Sequence, residues 1–295
     1  MSDSSTAGNP ALLSGTAQPL PFGGYFNFVE ASFGLALLTM LRRQRLILAA
    51  VITLLPVLIP LAMAFLSTSQ FEDDGNMVFV KMTEQLQINV LAPLLALFFA
   101  CMLVGEDMEA NTISYMLTRP LPRSAWVLGR FLAYVLVSGG ILLTSICLTF
   151  SAATSLAKIG FNRSDLLLLA HYCAVALGGL ICYGAFAAFL GATTRRPIVI
   201  GVILLYAWQR LAMLIPGLVD FFTIQKYTDA LLPRLATQRH NVQIQTVLGT
   251  FQKDVFMVSA TKAGITMCVI TAFFLAGTIL AVRWREYAST RVVGG

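Results

Sequence analysis

One segment of this sequence, residues 105–123, has a residue pattern that suits docking onto another protein rather than catalysis. Three carboxylates open it, at Glu106, Asp107 and Glu109, and an arginine followed by prolines closes it. Helix N-termini favour negative charge and C-termini positive charge, so the pattern predicts a short helix between the two groups. Proline then stops that helix and forces a turn. The alternative is a solvated turn whose apolar residues are incidental.

The predicted helix carries apolar side chains, and an amphipathic helix seated in a partner's groove is a recurrent mode of binding. We expect the partner contact to involve the charged residues of the segment together with its small polar and apolar ones. The predicted contact residues are Glu106, Asp107, Glu109, Asn111, Thr112, Ile113, Met116, Leu117 and Arg119.

Enzymatic chemistry on this chain is not predicted. The sequence contains no H-E-x-x-H zinc motif, no G-x-S-x-G nucleophile motif and no G-x-x-x-x-G-K-[ST] phosphate-binding loop. Its only histidines are His171 and His240, and a lone histidine at the end of a span is more often a satisfied interface residue than a metal ligand. No catalytic, cofactor-binding or metal-binding residue is therefore predicted.

The composition is that of a membrane protein. The chain has 295 residues, of which 57% are hydrophobic and 12% charged, and its mean hydropathy is +0.78. Soluble proteins contain about 25% charged residues. We predict an all-α membrane protein with six transmembrane helices, because a helix of about 20 apolar residues crosses the bilayer. The spans are expected near Leu46–Ser67, Leu86–Val104, Ala125–Ala153, Leu166–Ala192, Ile198–Pro216 and Ala263–Val282.

The regions outside the spans divide the chain further. Residues 1–24 are predicted to be a disordered cytoplasmic tail, and residues 284–295 a second tail. Residues 25–45 are predicted to form an interfacial amphipathic helix, since apolar residues recur every three or four positions and Arg42, Arg43 and Arg45 end the run. The alternative is an extension of the first span, which is disfavoured because burial of Glu30 in the membrane would be costly. Residues 46–283 form the six-span domain, with a helical outer loop at 217–262.

Arginine and lysine placement predicts the orientation. With a cytoplasmic N-terminus, the inner side holds eleven arginines and the two short outer loops only Lys81, Lys158 and Arg163. We therefore predict a multi-pass protein of a bacterial inner membrane with both termini in the cytoplasm. Attraction to anionic membrane lipid accounts for the net charge of +6 without any nucleic acid partner. The inner arginines are Arg42, Arg43, Arg45, Arg119, Arg123, Arg130, Arg195, Arg196, Arg283, Arg285 and Arg291.

The predicted spans also contain polar residues that could line a path. Asn89, Ser138, Thr144 and Arg210 are candidates for a translocation path. Arg210 alternatively extends its side chain to the membrane surface. No carboxylate lies in the middle of a span, which argues against proton coupling. Energy for any transport is therefore expected from another source.

The fourth predicted span has small residues at four-residue spacing, at Gly184, Ala188 and Ala192. Small residues at this spacing let helices approach closely. The partner helix is either within this chain or in a second copy.

The stretch from Val104 to Arg130, V-G-E-D-M-E-A-N-T-I-S-Y-M-L-T-R-P-L-P-R-S-A-W-V-L-G-R, resembles the signature of the type-two ABC exporter permeases. In that family a G-x-E/D-x-E-x-x-T-I/L…L-L-T-x-P-x-x-R pattern joins the second and third spans. The family also has six spans, a preceding cytoplasmic helix and an outer insertion between spans five and six. Here Asn111 stands where the family often has glycine before Thr112.

The resemblance implies a permease subunit driven by a separate ABC ATPase, which would carry ATP and magnesium. Two ATPase copies and a second permease, identical or related, would complete the assembly. Two alternatives stay open: a membrane scaffold for the maturation or assembly of an extracytoplasmic complex, and a secondary transporter.

Overall fold

The structure is a computed structural model that describes residues 22–66, 75–103, 123–157, 163–194, 196–214, 221–232, 241–246, 249–254 and 258–284. Helices account for nearly all of these residues, which confirms the predicted helical class. The predicted tails at 1–24 and 284–295 lie almost wholly outside the described residues.

The helices follow one another along the chain, and within the described residues one pair of strands precedes the last helix. The α-helices are α1 (Phe22–Met40), α2 (Arg43–Leu66), α3 (Gly75–Met82), α4 (Ala92–Leu95), α5 (Arg123–Ala157), α6 (Arg163–Thr193), α7 (Pro197–Val202), α8 (Gln209–Leu214), α9 (Ile224–Leu231) and α10 (Ala260–Trp284). The strands are β1 (Asn241–Thr246) and β2 (Gly249–Asp254).

Two helical stretches of the chain alternate between α-helical and π-helical turns, and they are called the mixed helices below. In the first mixed helix, residues 75–103, π-helical turns at Thr83–Leu91 and Ala96–Ala100 flank α4. In the second mixed helix, residues 197–214, a π-helical segment at Ile203–Trp208 separates α7 from α8. Runs of π-helix are rare and often mark functional sites. A hydrogen bond joins the two mixed helices directly: the Tyr206 hydroxyl donates to the carbonyl oxygen of Val90 at 2.7 Å.

Four helices of the described residues are long and apolar enough to cross a membrane: Phe79–Ala100, Arg123–Thr154, Arg163–Thr193 and Ala260–Arg283. They coincide with the second, third, fourth and sixth predicted spans. The first and fifth predicted spans fall on shorter apolar helical stretches, Arg45–Leu58 and Pro197–Trp208. These helices indicate a membrane-embedded protein, and the count of six spans stays a prediction.

The small residues of α6 bring three helices together. A Cβ atom at Gly184 would overlap the ring of Tyr134 in α5, and one at Gly191 would lie 2.5 Å from the carbonyl oxygen of Cys101. Ala188 and Ala192 are buried beside them. The helices that pack against the predicted small-residue stripe therefore belong to this chain.

Helix α1 packs against the first turns of α5. The Ser32 hydroxyl donates to the Trp126 carbonyl oxygen at 2.9 Å, and a Cβ atom at Gly129 would lie 2.5 Å from the Val29 carbonyl oxygen. Phe26, on the predicted apolar face, is 69% exposed. The helix ends at Met40, and Arg43 and Arg45 belong to the first turn of α2 rather than to α1.

The predicted outer insertion, residues 217–262, is only partly helical. Helix α9 is present, but β1 and β2 form an antiparallel hairpin in which Asn241 pairs with Asp254. The prediction of a helical insertion is therefore wrong for these strands, where alternating polar and apolar residues such as Val242 and Ile244 favour extended structure.

Helix α9 rests on α6. The Cβ position of Gly179 lies 3.3 Å from a methyl group of Thr228, and His171 Nε2 donates to the carbonyl oxygen of Leu231 at 2.9 Å. Burial raises the pKa of Tyr227 above its usual value, and its hydroxyl donates to the Phe221 carbonyl oxygen at 2.8 Å. His171 thus has the role of an interface residue, whereas His240 lies outside the described residues.

Candidate functional site

The predicted partner-contact residues, from Glu106 to Arg119, lie in the part of the chain that the structure leaves undescribed. Residues 104–122 are missing from the described stretches, but both flanks of the segment are present at Leu103 and Arg123. The contacts of these two flanks define how the predicted docking segment is attached to the helical bundle.

The first flank is held by an arginine of α5. Arg130 Nη1 donates to the carbonyl oxygen of Leu103 at 2.5 Å. The same guanidinium lies 4.4 Å from the ring centroid of Trp126, a cation–π contact that fixes its position. Because Leu103 is also buried, the end of the first mixed helix is fastened to α5.

The second flank is held at the end of the last helix. Arg123 Nη1 donates to the carbonyl oxygens of Val282, at 3.2 Å, and Arg283, at 2.6 Å. These carbonyls lie in the final turn of α10, where no intrahelical N–H remains to bond them. A cation is favourable there because the C-terminus of a helix carries partial negative charge. Arg123 therefore links the start of α5 to the end of α10.

Helix α1 completes this arrangement. The Tyr25 hydroxyl donates to Ser124 Oγ at 3.3 Å, one residue after the second flank. Three helical elements thus meet α5 within residues 123–130: α1, the end of the first mixed helix and the end of α10.

A comparison with known protein families fits this geometry. The family model of the ABC-2 family transporter proteins matches residues 39–208, from the end of α1 to the π-helical segment of the second mixed helix. The chain belongs to the ABC-2 transporter family. The matched region includes the first mixed helix, α5 and both flanks of the docking segment. No curated protein matches the sequence.

Membership in the ABC-2 family gives the chain the role of a membrane component, or permease, of an ABC transporter. It implies an ABC ATPase as partner and a membrane setting. The permeases of this family are generally not catalytic themselves. Among the residues that the structure describes, no three His, Cys, Asp or Glu side chains are grouped closely enough to hold a metal ion.

The structure does not bring the four predicted path residues into one group. Ser138 is fully buried and donates to the Tyr134 carbonyl oxygen, whereas Thr144, on the same helix, is exposed and donates to Gly140. Asn89 is half-buried in the first mixed helix, and its Oδ1 has no hydrogen-bond partner among the described residues. Arg210 lies in α8, and its side chain is outside the described part of the structure.

Sequence reasoning missed a buried polar cluster between α2, the first mixed helix and α5. Gln87 Nε2 donates to Thr149 Oγ1 at 2.7 Å and to Ser145 Oγ at 3.3 Å, and Ser145 in turn donates to the Thr53 carbonyl oxygen at 3.0 Å. Gln87 and Thr149 are fully buried. The signal available in the sequence was a glutamine in one span and hydroxyls four residues apart in the next.

Two oxygens of this region have no hydrogen-bond partner within the described residues, Thr83 Oγ1 and Gln87 Oε1. Both side chains are fully buried in the same helix. An unpaired polar atom in an apolar medium is unfavourable. The π-helical part of the first mixed helix therefore places buried polar groups in the bundle, and two of their oxygens have no hydrogen-bond partner among the described residues.

We expect Thr149→Val to lower the stability of the permease more than Gln87→Leu does. The valine removes the shorter bond of the Gln87 amide and leaves that amide buried. Hydrogen bonds between membrane helices contribute about 0.6 kcal/mol on average and at most about 1.7 kcal/mol. Gln87→Leu removes both hydrogen bonds of the amide, but it also removes the buried, unpaired Oε1. Removal of that unpaired oxygen is favourable and offsets part of the stability lost with the hydrogen bonds. Thermal unfolding in detergent measures both.

Ser151→Ala is a suitable control for these variants, because the Ser151 hydroxyl is exposed on α5 and bonds only its own helix at Leu148. Its melting temperature should equal that of the unmodified chain. A larger loss for Gln87→Leu than for Thr149→Val would show that the glutamine amide stabilises the bundle despite its unpaired oxygen.

Proposed function

We propose that this chain is the permease of an ATP-driven exporter and that its ATPase docks on residues 105–123. The observation that supports this most is the attachment of both flanks of the segment to the ends of helices. The Leu103 carbonyl is bonded by Arg130, and Arg123 bonds the last carbonyls of α10. A loop that only connected two spans would not need both attachments.

The attachments suggest how work enters the membrane domain. ATP and magnesium would bind on the ATPase pair, whose closure would push the segment against its two flanks. The movement would pass through Leu103 to the first mixed helix and through Arg123 to α10. Two permease copies, or one copy with a related chain, would then alternate between inward-open and outward-open states in a two-fold assembly.

The location of the arginines supports a cytoplasmic position for this end of the bundle. Arg45 and Arg130 line one cavity, and Arg123 bonds the last turn of α10, next to Arg283. Positive residues collect on the cytoplasmic side of membrane proteins. We propose on this basis that the docking segment and both termini lie in the cytoplasm of a bacterial cell.

Charge reversal within the segment tests the proposal. Glu106→Lys combined with Asp107→Lys and Ile113→Ala should lower the amount of ATPase that co-purifies with the permease by about tenfold or more. Loss of a few central contacts at an interface typically costs more than the roughly 1.4 kcal/mol that corresponds to tenfold. The measurement is quantitative co-purification of the ATPase with tagged permease from membranes, together with ATP turnover of the complex.

The control is Asp73→Lys with Asp74→Lys, which reverses two neighbouring carboxylates in the predicted outer loop. This variant should retain the ATPase in full. Unchanged co-purification and ATP turnover in the segment variant would refute the docking assignment. If the ATPase is retained but the spans do not change conformation when nucleotide binds, the result would instead favour a passive membrane scaffold.

A further inference from the structure

A cavity lies at the corner between α1 and α2, beside the end of the first mixed helix. It is lined by the last turn of α1, at Thr39 and Met40, and by Phe99 and Leu103 of the first mixed helix. Two arginines complete the lining: Arg45 from the first turn of α2, and Arg130 from α5. The described residues that line this cavity include two cations and no carboxylate.

The Arg130 guanidinium is held in place by the protein, and the backbone of Arg45 is fixed at the start of α2. Arg130 donates to Leu103 and stacks on Trp126, and the backbone N–H of Arg45 bonds the Arg42 carbonyl oxygen at 2.9 Å in the first turn of α2. Both side chains are half-buried and have further contacts within the protein. A guanidinium has five N–H donors, so it can keep such contacts and bind an anion as well.

Positioned arginines match the geometry of a phosphate group, because their N–H groups form parallel hydrogen bonds to two of its oxygens. The cavity is lined by the end of α1, the start of α2 and the end of the first mixed helix. The ends of membrane-spanning helices are expected near the phospholipid phosphates, and basic pockets between membrane helices on the cytoplasmic side suit acidic lipid head groups.

The surface around the cavity distinguishes a lipid from a free phosphate ion. Leu38 in α1 and Val51 in α2 are 71% and 65% exposed, and Leu35, Leu41 and Ile47 are exposed as well. These side chains belong to α1, to α2 or to the short connection between these two helices. A free phosphate would make no use of them, whereas the acyl chains of a lipid bound by its phosphate would lie against them.

We propose that this cavity binds the phosphate head group of an anionic glycerophospholipid. Bound there, the lipid would connect α1, α2 and α5 at the same end of the bundle as the docking segment. The lining residues that the structure describes all lie outside the proposed ATPase contact at residues 105–123.

The test compares two double variants that lose the same charge. Arg45→Gln with Arg130→Gln changes the cavity, and Arg42→Gln with Arg43→Gln changes two exposed arginines that do not line it. The purified full-length permease is placed in nanodiscs of phosphatidylcholine with phosphatidylglycerol, extracted into detergent and analysed by native mass spectrometry. We expect retained phosphatidylglycerol to fall about tenfold in the cavity variant and by less than twofold in the control.

A second variant, Arg45→Gln alone, keeps the bond from Arg130 to Leu103 and separates lipid binding from folding. It should also lose most of the phosphatidylglycerol. An excess of inorganic phosphate should leave the lipid bound to the unmodified protein. Equal losses of phosphatidylglycerol in the cavity and control variants would overturn the proposal, because the lipid would then be attracted by the overall positive charge and not by the cavity. Displacement by inorganic phosphate would also overturn it, since the site would then take a free anion.

Discussion

Replacing Gly191 with alanine should destabilise the helical bundle even though alanine is the better helix former. The added Cβ atom would lie 2.5 Å from the carbonyl oxygen of Cys101 and 3.2 Å from its carbonyl carbon. The opposing atoms are backbone, so no side chain can turn away. Overpacking in a tight core costs about 1–3 kcal/mol, and contact with backbone belongs at the upper end of that range.

The higher helix propensity of alanine stabilises the helix by at most about 1 kcal/mol relative to glycine. The net loss expected for Gly191→Ala is therefore about 2 kcal/mol, measured as thermal unfolding of the permease in detergent. A leucine at this position should prevent recovery of folded protein, because its side chain has no free space between α6 and the end of the first mixed helix.

Gly178 supplies the matched control on the same helix. A Cβ atom there would have no heavy atom within 4 Å, so Gly178→Ala gains propensity without a clash. Its melting temperature should equal or exceed that of the unmodified chain. If the two alanine variants melt at the same temperature, α6 and the first mixed helix are not in close backbone contact.

Hydropathy predicted most of the membrane-embedded fold, because long apolar runs in a chain with few charges have little alternative to helices. The predicted spans at Ala125–Ala153 and Leu166–Ala192 lie within α5 and α6. The π-helical turns were not predicted, since the choice between α and π hydrogen bonding depends on neighbours such as Tyr206, which bonds Val90 from another helix. The periodicity of the sequence does not reveal such a contact between helices.

The location of the candidate site stays a prediction, and the attachments of its two flanks were not predicted. The acidic opening and proline stop of residues 105–123 indicated the segment from sequence, because these residue types act locally on a helix end. The bond from Arg123 to α10 joins positions about 160 residues apart in the sequence, and no local rule pairs them. The same holds for Gln87 and Thr149, whose hydrogen bond depends on how two helices pack.

The hairpin shows where local patterns were misread. Its strands are rich in glutamine and threonine and have few long apolar runs. The apolar residues on either side, including Leu248 and Val255, suggested helices on the outer surface of the bundle. Pairing between β1 and β2, with Gly249 opposite Thr246 at the turn, requires both strands together and is weakly encoded in either one.

Replacing Arg123 with alanine should weaken the transfer of movement from the ATPase to the last helix. This expectation depends on the proposed docking of the ATPase. Arg123→Ala removes two hydrogen bonds to the end of α10 but leaves the flank at Leu103 attached through Arg130. The ATPase should therefore still bind, while one of the two routes into the membrane domain is lost.

The size of the effect follows from the chemistry of the bond. Hydrogen bonds to a charged group contribute about 1.5–3 kcal/mol, and the partly exposed position of this pair reduces that value through solvent screening. A remaining contribution of about 1–2 kcal/mol corresponds to a change of about tenfold in the linked equilibrium. Arg123→Lys should retain part of the effect, because an ammonium group can bond one of the two carbonyls at a time.

Hydrogen exchange measures this coupling without knowledge of the transported substrate. In the permease–ATPase complex in nanodiscs, amides in the last turn of α10 should exchange faster in Arg123→Ala, and their response to ATP should shrink about tenfold relative to the unmodified complex. Arg196→Ala is the control, since Arg196 is exposed, immediately precedes α7 and carries the same charge. An undiminished ATP response in Arg123→Ala would mean that movement reaches α10 by another route, and a lost ATPase would mean that Arg123 acts in docking itself.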